Sequence, residues 1–310
     1  MNKYNFKGGS KRYGIPYKGS KNKVVKWLVE CLPSSENFYD LFCGGCAVTH
    51  YAILQHRWRN FHINDINPML APMFVDAING KFENENRWIS REDFHRLKDI
   101  DPYASICFSF GNDMSSYAYG EDKEELKKAI HYACYFKDLS LLQTFLPECN
   151  EILKGNTTLE RYRIYQHLCK RLFSSSKMLE NFVRLHCLER LQSLNSLKSL
   201  NSLKSLKSYS DDYQNIEIKP NSTVYCDIPY RSTNTYKRVE RFDYDRFYTW
   251  ADSRNYPVFI SEYDMPKEFT PISFYARKDT MCATKNNLLR CEKLFVQKRF
   301  AEKYKRHLFV

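Results

Sequence analysis

The amino-acid sequence predicts an α/β protein whose mainly parallel sheet is divided along the chain by a long, mainly helical insertion. Apolar stretches of strand composition alternate with helix-like segments over the first ~75 residues and resume after about residue 209. Between them lies a stretch richer in charge, with helical spacing. Two adjacent glycines, Gly44 and Gly45, follow the first strand and precede a helix, where α/β proteins build a ligand-binding turn.

Taken in order, Val24–Cys31 reads as a helix and Phe38–Phe42 as an apolar strand. A helix starts at Ala47, and a second strand covers Phe61–Ile63. From about Gly80 to Leu206, Glu124–Tyr135 and Leu159–Phe173 carry the clearest helical patterns. Strand composition returns at Thr223–Asp227 and Pro257–Ser261, with a helix at Tyr244–Ser253 between them, and Leu294–Val296 begins or ends a late strand. The expected organisation is a core segment at 1–79, an insertion at 80–208 and a second core segment at 209–310.

The insertion ends in a Ser-Leu-Asn/Lys repeat between Ser193 and Ser208, with leucine at 194, 197, 200, 203 and 206. On an α-helix a three-residue step drifts by roughly 60° per repeat, and in a strand it alternates faces. Neither form buries the leucines on one face. The repeat is therefore expected to be a helix or a length-variable insertion with its lysines exposed.

Composition bounds the function. The 310 residues, 43% hydrophobic and 15% aromatic, suffice for a sizeable core and exclude a disordered chain. The start, Met1-Asn2-Lys3-Tyr4-Asn5, lacks the apolar run of a secretory signal, and no segment has the length to span a bilayer, so a cytosolic protein without a membrane partner is expected. The 11 cysteines are scattered, which suits reduced thiols. Cys43 and Cys46 form a lone Cys-x-x-Cys, and with no second such pair no metal is expected. A net charge of +12 with 23 Tyr and 21 Phe suits a polyanion, since cations pair with phosphates and aromatic faces stack on unpaired bases. An ordinary basic protein with an aromatic core fits the same figures.

Three short segments carry candidate chemistry. Asp40-Leu41-Phe42-Cys43-Gly44-Gly45 sets an acid on a strand and two glycines beyond it, a layout for a nucleotide pocket that a plain strand turn shares. Asp65, ~20 residues after the glycines and just past the second strand, is placed to accept hydrogen bonds from a ribose, or to cap a helix. No Gly-x-Gly-x-x-Gly and no phosphate loop occurs, so a cofactor without phosphates fits best. Asp227-Ile228-Pro229-Tyr230 delivers an acid from a strand end into a rigid turn closed by an aromatic. A carboxylate and a neighbouring carbonyl there can accept both protons of a planar amino group while Tyr230 stacks on its ring; an ordinary Asp/Pro turn is the plainer reading.

The order of these segments, with Tyr17-Lys18-Gly19-Ser20-Lys21 before them, resembles Dam-type DNA adenine-N6 methyltransferases of the alpha group, of phage or prophage type. The resemblance covers roughly residues 11–80 and 209–297 and is weakest in the middle. It implies a Rossmann-like class I methyltransferase sheet with an inserted recognition region, and S-adenosyl-L-methionine as cofactor. Tyr17, Lys21, Asp40, Phe42, Cys43, Gly44, Gly45, Asp65 and Asp227 would then form the cofactor site. Asp227, Ile228, Pro229 and Tyr230 would be catalytic, standing where the family has Asp-Pro-Pro-Tyr. Ile228 replaces the first proline; its carbonyl can still accept a proton, at a loss of about a kcal/mol of preorganisation. Asn112, Tyr117 and Tyr119 resemble the loop opening the recognition region, while Thr233 and Tyr236 resemble the loop over the flipped base.

The implied partner is double-stranded DNA, bound by a monomer or weak dimer. Without an endonuclease signature, any restriction enzyme would be a separate protein, and an orphan or phage-borne enzyme is expected. Cytosine-N4 methylation is the nearest alternative, since the same cradle fits that amino group; a catalytically inactive DNA-binding protein of this fold is another. Methylation at the cytosine ring carbon needs a Pro-Cys nucleophile, which is absent from the sequence.

Overall fold

The computed structural model describes residues 12–173, 182–203, 205–231, 242–278 and 289–305. Contacts divide them into two compact units: a sheet unit, from residues within 1–15, 19–75 and 200–310, and a helical unit, from 16–18 and 76–199.

The sheet unit is built on seven strands: β1 (Asn37–Asp40), β2 (Asn60–Asn64), β3 (Leu206–Tyr209), β4 (Ser222–Cys226), β5 (Val258–Glu262), β6 (Phe269–Lys278) and β7 (Leu289–Gln297). Their order is β3-β2-β1-β4-β5-β7-β6. The first five run parallel, and β7 runs antiparallel to both β5 and β6. Strands covered on both faces read as continuous apolar runs, and β1 and β5 are buried along their whole lengths. This is the expected Rossmann-like sheet. Early helices α1 (Val25–Cys31), α2 (Ala47–Leu54) and α3 (Leu70–Ile78) begin the α/β alternation. On one face Tyr39, Val224, Cys226, Val258 and Ile260 pack with Phe247, Trp250 and Ala251, which project from a late helix, Tyr244–Ser253.

The helical unit contains α4 (Arg91–Leu97), α5 (Pro102–Cys107), α6 (Glu121–Phe136), α7 (Leu142–Phe145), α8 (Thr158–Leu172) and α9 (His186–Asn195). A capping box between Thr157 and Glu160 starts α8. Glu121, Asp122 and Glu124 place negative charge in the first turn of α6, where the helix dipole favours it. Leu126, Ala129, Ile130 and Ala133 form its buried stripe. The buried Arg161 donates to the carbonyls of Cys134, Gly155 and Asn156, which accounts for a cation in this core.

The leucine repeat corrects the expectation that no face could bury it. After α9 the chain tightens into a 3-10 helix, Ser196–Leu200, whose three-residue turn brings a three-residue repeat onto one line. Leu194, Leu197 and Leu200 are buried at 0%, 1% and 4% exposure, whereas Lys198 and Lys207 stay exposed as expected. The end of the repeat is not an insertion but strand β3, pairing Leu206 with Phe61 and Tyr209 with Asn64. Strand β6 was also not anticipated; it is an outer strand, with Pro271 at an irregularity in its pairing with β7.

Replacing Leu197 with alanine should lower stability by about 2–4 kcal/mol, as for other buried leucines, and the half-buried Leu203 substantially less. Urea unfolding of the two variants checks this; equal, small losses would show that the 3-10 face does not pack.

Candidate active site

Parallel strands deliver side chains at their carboxyl ends, and four acids converge there in the sheet unit. Asp40 ends β1, Asp65 follows β2, Asp227 follows β4 and Glu262 ends β5. A fifth, Glu292, arrives on the antiparallel strand β7, opposite Tyr275. The neighbouring Lys293 pairs with Glu262, fixing Glu292 beside the end of β5.

The glycine turn is braced from several directions. Cys43 N–H donates to the Asn64 carbonyl at 2.9 Å, and the Asn64 amide donates to the Leu41 and Asp211 carbonyls. Gly44, at φ 47°, donates its N–H to Asp65 Oδ2 at 2.9 Å, and Asp65 Oδ1 accepts from Asn67 N–H. From the N-terminal segment, Ile15 N–H donates to the Gly45 carbonyl at 2.8 Å. Gly14 has φ +73°, and a Cβ there would lie 2.0 Å from the Gly45 carbonyl oxygen, so only glycine permits this approach.

That segment also places Lys21. Asn22 accepts from Tyr13 N–H and donates to the Tyr13 carbonyl, and a 3-10 turn over Lys21–Lys23 follows. The Lys21 ammonium lies 2.6 Å from Asp227 Oδ1 and 3.4 Å from Glu292 Oε1. It also stands 4.3 Å from the centroid of the Tyr230 ring. The Tyr230 hydroxyl donates to the same Glu292 oxygen, and its ring meets Tyr263 edge-on at 4.7 Å. The Glu262 carboxylate accepts from Arg231 and Tyr263 N–H, holding the backbone just beyond Tyr230.

Burial and mutual repulsion set the charge states. Burial pushes Asp227 up to about 6 even against the lowering pull of Lys21, with Glu292 and Asp65 adding to the rise. Asp40 rises to about 7, from burial first and then from Asp227 and Asp65, although Thr49 donates to its Oδ2 at 2.7 Å. Its Oδ1 is buried without a hydrogen-bond partner among the described residues. Burial raises Asp65 as well, opposed by the N–H donors of Asn67 and Gly44, and Glu262 stands at about 6 for the same reason. Burial alone would lower Lys21, but Asp227 and Glu292 outweigh it and hold the ammonium above its ordinary value.

Of the cofactor residues expected from sequence, Lys21, Asp40, Gly44, Asp65 and Asp227 come together here. Phe42 instead turns its ring onto Tyr213 and Phe247 in the core, and Cys43 is buried with its thiol pushed up by burial. Tyr17 is half-buried and belongs with the helical unit. Ile228 is buried at the strand end. In the helical unit Tyr117 and Tyr119 are core residues: Tyr117 donates to the Ile89 carbonyl, and Tyr119 stacks on Trp88 while accepting from Cys187 N–H. Asn112 keeps a buried side-chain oxygen without a partner among the described residues. Thr233 and Tyr236 lie outside the described residues. Glu262 and Glu292 were given no role from sequence. Glu262 is the one charged residue of its strand, a signal that could have marked it, whereas Glu292 stands between Arg290 and Lys293 with no local signal.

Gly14→Ala should destabilise the protein by about 2 kcal/mol or more, because it combines a positive φ with a backbone clash. A thermal unfolding curve matching the unsubstituted protein would show that the brace on Gly45 is loose.

Residues 17–144, which carry Lys21, the glycine turn, Asp65 and the first part of the helical unit, match the family described as D12 class N6 adenine-specific DNA methyltransferase. The match ends before Asp227. No curated protein matches the chain. Among the described residues no helix is long and apolar enough to cross a membrane, and no group of three or more His, Cys, Asp or Glu is arranged to hold a metal. Together with the seven-stranded sheet, the similarity marks this chain as an enzyme, a DNA adenine methyltransferase on a Rossmann-like class I fold.

Proposed function

We propose that the chain transfers a methyl group from S-adenosyl-L-methionine to the exocyclic N6 of an adenine flipped out of double-stranded DNA. The observation that carries this reading is the convergence of Asp227, Lys21 and Tyr230 beside a carboxylate cradle in which one buried oxygen of Asp40 has no hydrogen-bond partner among the described residues. A buried acceptor without a donor is unfavourable and invites one from a ligand. Asp40, Asp65 and Asp227 suit an adenosyl-bearing cation: carboxylates for its ammonium, sulfonium and ribose hydroxyls. When bound, the cofactor supplies an electrophilic methyl on a sulfonium centre.

The rest is the work of this chain. Asp227 accepts one proton of the adenine amino group and the Ile228 carbonyl the other, which orients the nitrogen lone pair for in-line attack. A base within a duplex cannot reach a strand-end pocket, so it must be flipped and held by stacking on Tyr230. The amino group gives up its proton during or after transfer, through Asp227 to solvent. In the free protein Lys21 occupies Asp227 and one face of Tyr230, so it has to yield both as the base enters. The order of motifs further supports a Dam-type enzyme of the phage or orphan kind, acting as a monomer or weak dimer in the cytoplasm, with any endonuclease a separate protein.

Two outcomes follow. Asp227→Ala should cut transfer of labelled methyl groups into DNA by at least about 10²-fold, as expected when a key acceptor in a preorganised site is removed; undiminished transfer would sink the assignment. Affinity for S-adenosyl-L-methionine should also rise with pH. The free-site values of about 6 for Asp227 and about 7 for Asp40 mean that both are partly protonated in mildly acidic solution. A cationic ligand favours their ionised forms, so binding releases protons and tightens until pH passes those values. Calorimetry in buffers of different ionisation enthalpy measures the release; proton uptake, or affinity that falls with rising pH, would contradict it.

A further inference from the structure

Glu292 is a deeply buried acid of the site without a part in the chemistry above. Its side chain is 5% exposed, against 21% for Asp227. One oxygen, Oε1, receives both the Tyr230 hydroxyl and the Lys21 ammonium, so a single carboxylate atom ties together the stacking ring and the cation resting on it. The cation is shared unequally, at 2.6 Å from Asp227 and 3.4 Å from Glu292. An ammonium buried this far cannot be released without another anion to receive it, since an uncompensated charge in such surroundings is strongly unfavourable. Glu292 is that anion, already within ion-pair distance.

Resting on the methyltransferase reading, we propose that Glu292 is a positioning residue: it fixes the Tyr230 ring through its hydroxyl and receives the Lys21 ammonium when Asp227 exchanges it for the adenine amino group. The move is short, because Lys21 already spans both acids, and it leaves the number of buried charges unchanged. It also clears the ring face on which the base stacks. A carboxamide at position 292 could still accept from the Tyr230 hydroxyl but could not compensate Lys21. Glu292→Gln therefore separates the two roles.

The first test needs no catalysis. Asp227 faces Lys21 from the N-terminal segment, Asp40 from β1, Asp65 from the end of β2, Glu262 from β5 and Glu292 from β7, with the Tyr230 hydroxyl nearby. Removing the charge at 292 leaves Lys21 wholly to Asp227, so Asp227 should titrate at lower pH in E292Q than in the unsubstituted protein. Carbon-detected NMR of labelled aspartates in the free protein reads this midpoint. The second test is turnover on DNA: E292Q should lose about 10²-fold in kcat with a smaller change in the KM for the cofactor, the size expected for a misplaced reacting group. Tyr230→Phe, which keeps the charge and loses only the hydroxyl bond, should leave the Asp227 midpoint unshifted. If E292Q is too unstable to study, Lys21→Met gives the converse: with the shared ammonium removed, Asp227 should titrate higher. An unshifted midpoint in folded E292Q, or in K21M where E292Q does not fold, overturns the proposal whatever the activity. Absence of methyl transfer by the unsubstituted protein would overturn the functional reading and leave the titration to decide the role of Glu292.

Discussion

Carboxylates gathered at the ends of neighbouring strands repel one another, and burial deepens the penalty because the charged form loses its water. The Lys21 ammonium is what makes the cluster tolerable here. It binds Asp227 directly, reaches Glu292 and lies over the Tyr230 ring, so one cation organises side chains from the N-terminal segment, β4 and β7. The compensation is incomplete: Asp227 and Asp40 remain raised, and Asp40 keeps an oxygen with no partner among the described residues. The site is thus left short of positive charge and hydrogen-bond donors, which is what the proposed cationic cofactor would bring.

The fold serves this arrangement through strand polarity. Parallel strands bring Asp40, Asp65, Asp227 and Glu262 to one end of the sheet, and β7, running the other way, returns Glu292 to the same end. Gly14 matters because the N-terminal segment must pass against Gly45 to reach Lys21's position. A side chain there would press on the Gly45 carbonyl and disturb the turn that presents Gly44 to Asp65.

Most of the sheet unit was legible because its central strands are buried on both faces and read as apolar runs. The helix at Tyr244–Ser253 matched its pattern to the residue. The two unanticipated strands both lie at the sheet's margins. Leu206–Tyr209 is an outer strand, with Lys207 and Ser208 exposed at the end of a repeat whose composition hides it. Phe269–Lys278 contains Pro271 and an exposed Phe274, features that speak against a central strand. The leucine repeat hides its buried face from α-helix and strand periods, because it is the 3-10 turn that holds three residues. In the site, Asp40, Asp65 and Asp227 could be picked out by their places after strands. Glu292 could not, because its importance arises from pairing with residues at the far end of the sequence, which no local pattern encodes. Tyr117 and Tyr119 illustrate the converse: an aromatic-polar loop resembling a recognition element places both rings in a core.

If this cradle moves a methyl group onto adenine, label from the cofactor must appear on the adenine amino group. The most direct measurement is nucleoside mass spectrometry of unmethylated DNA after incubation with the purified protein and isotope-labelled S-adenosyl-L-methionine. Labelled N6-methyladenine is the expected product. Labelled methylcytosine would transfer the site to a different base, and absence of label despite cofactor binding would contradict the assignment to DNA adenine.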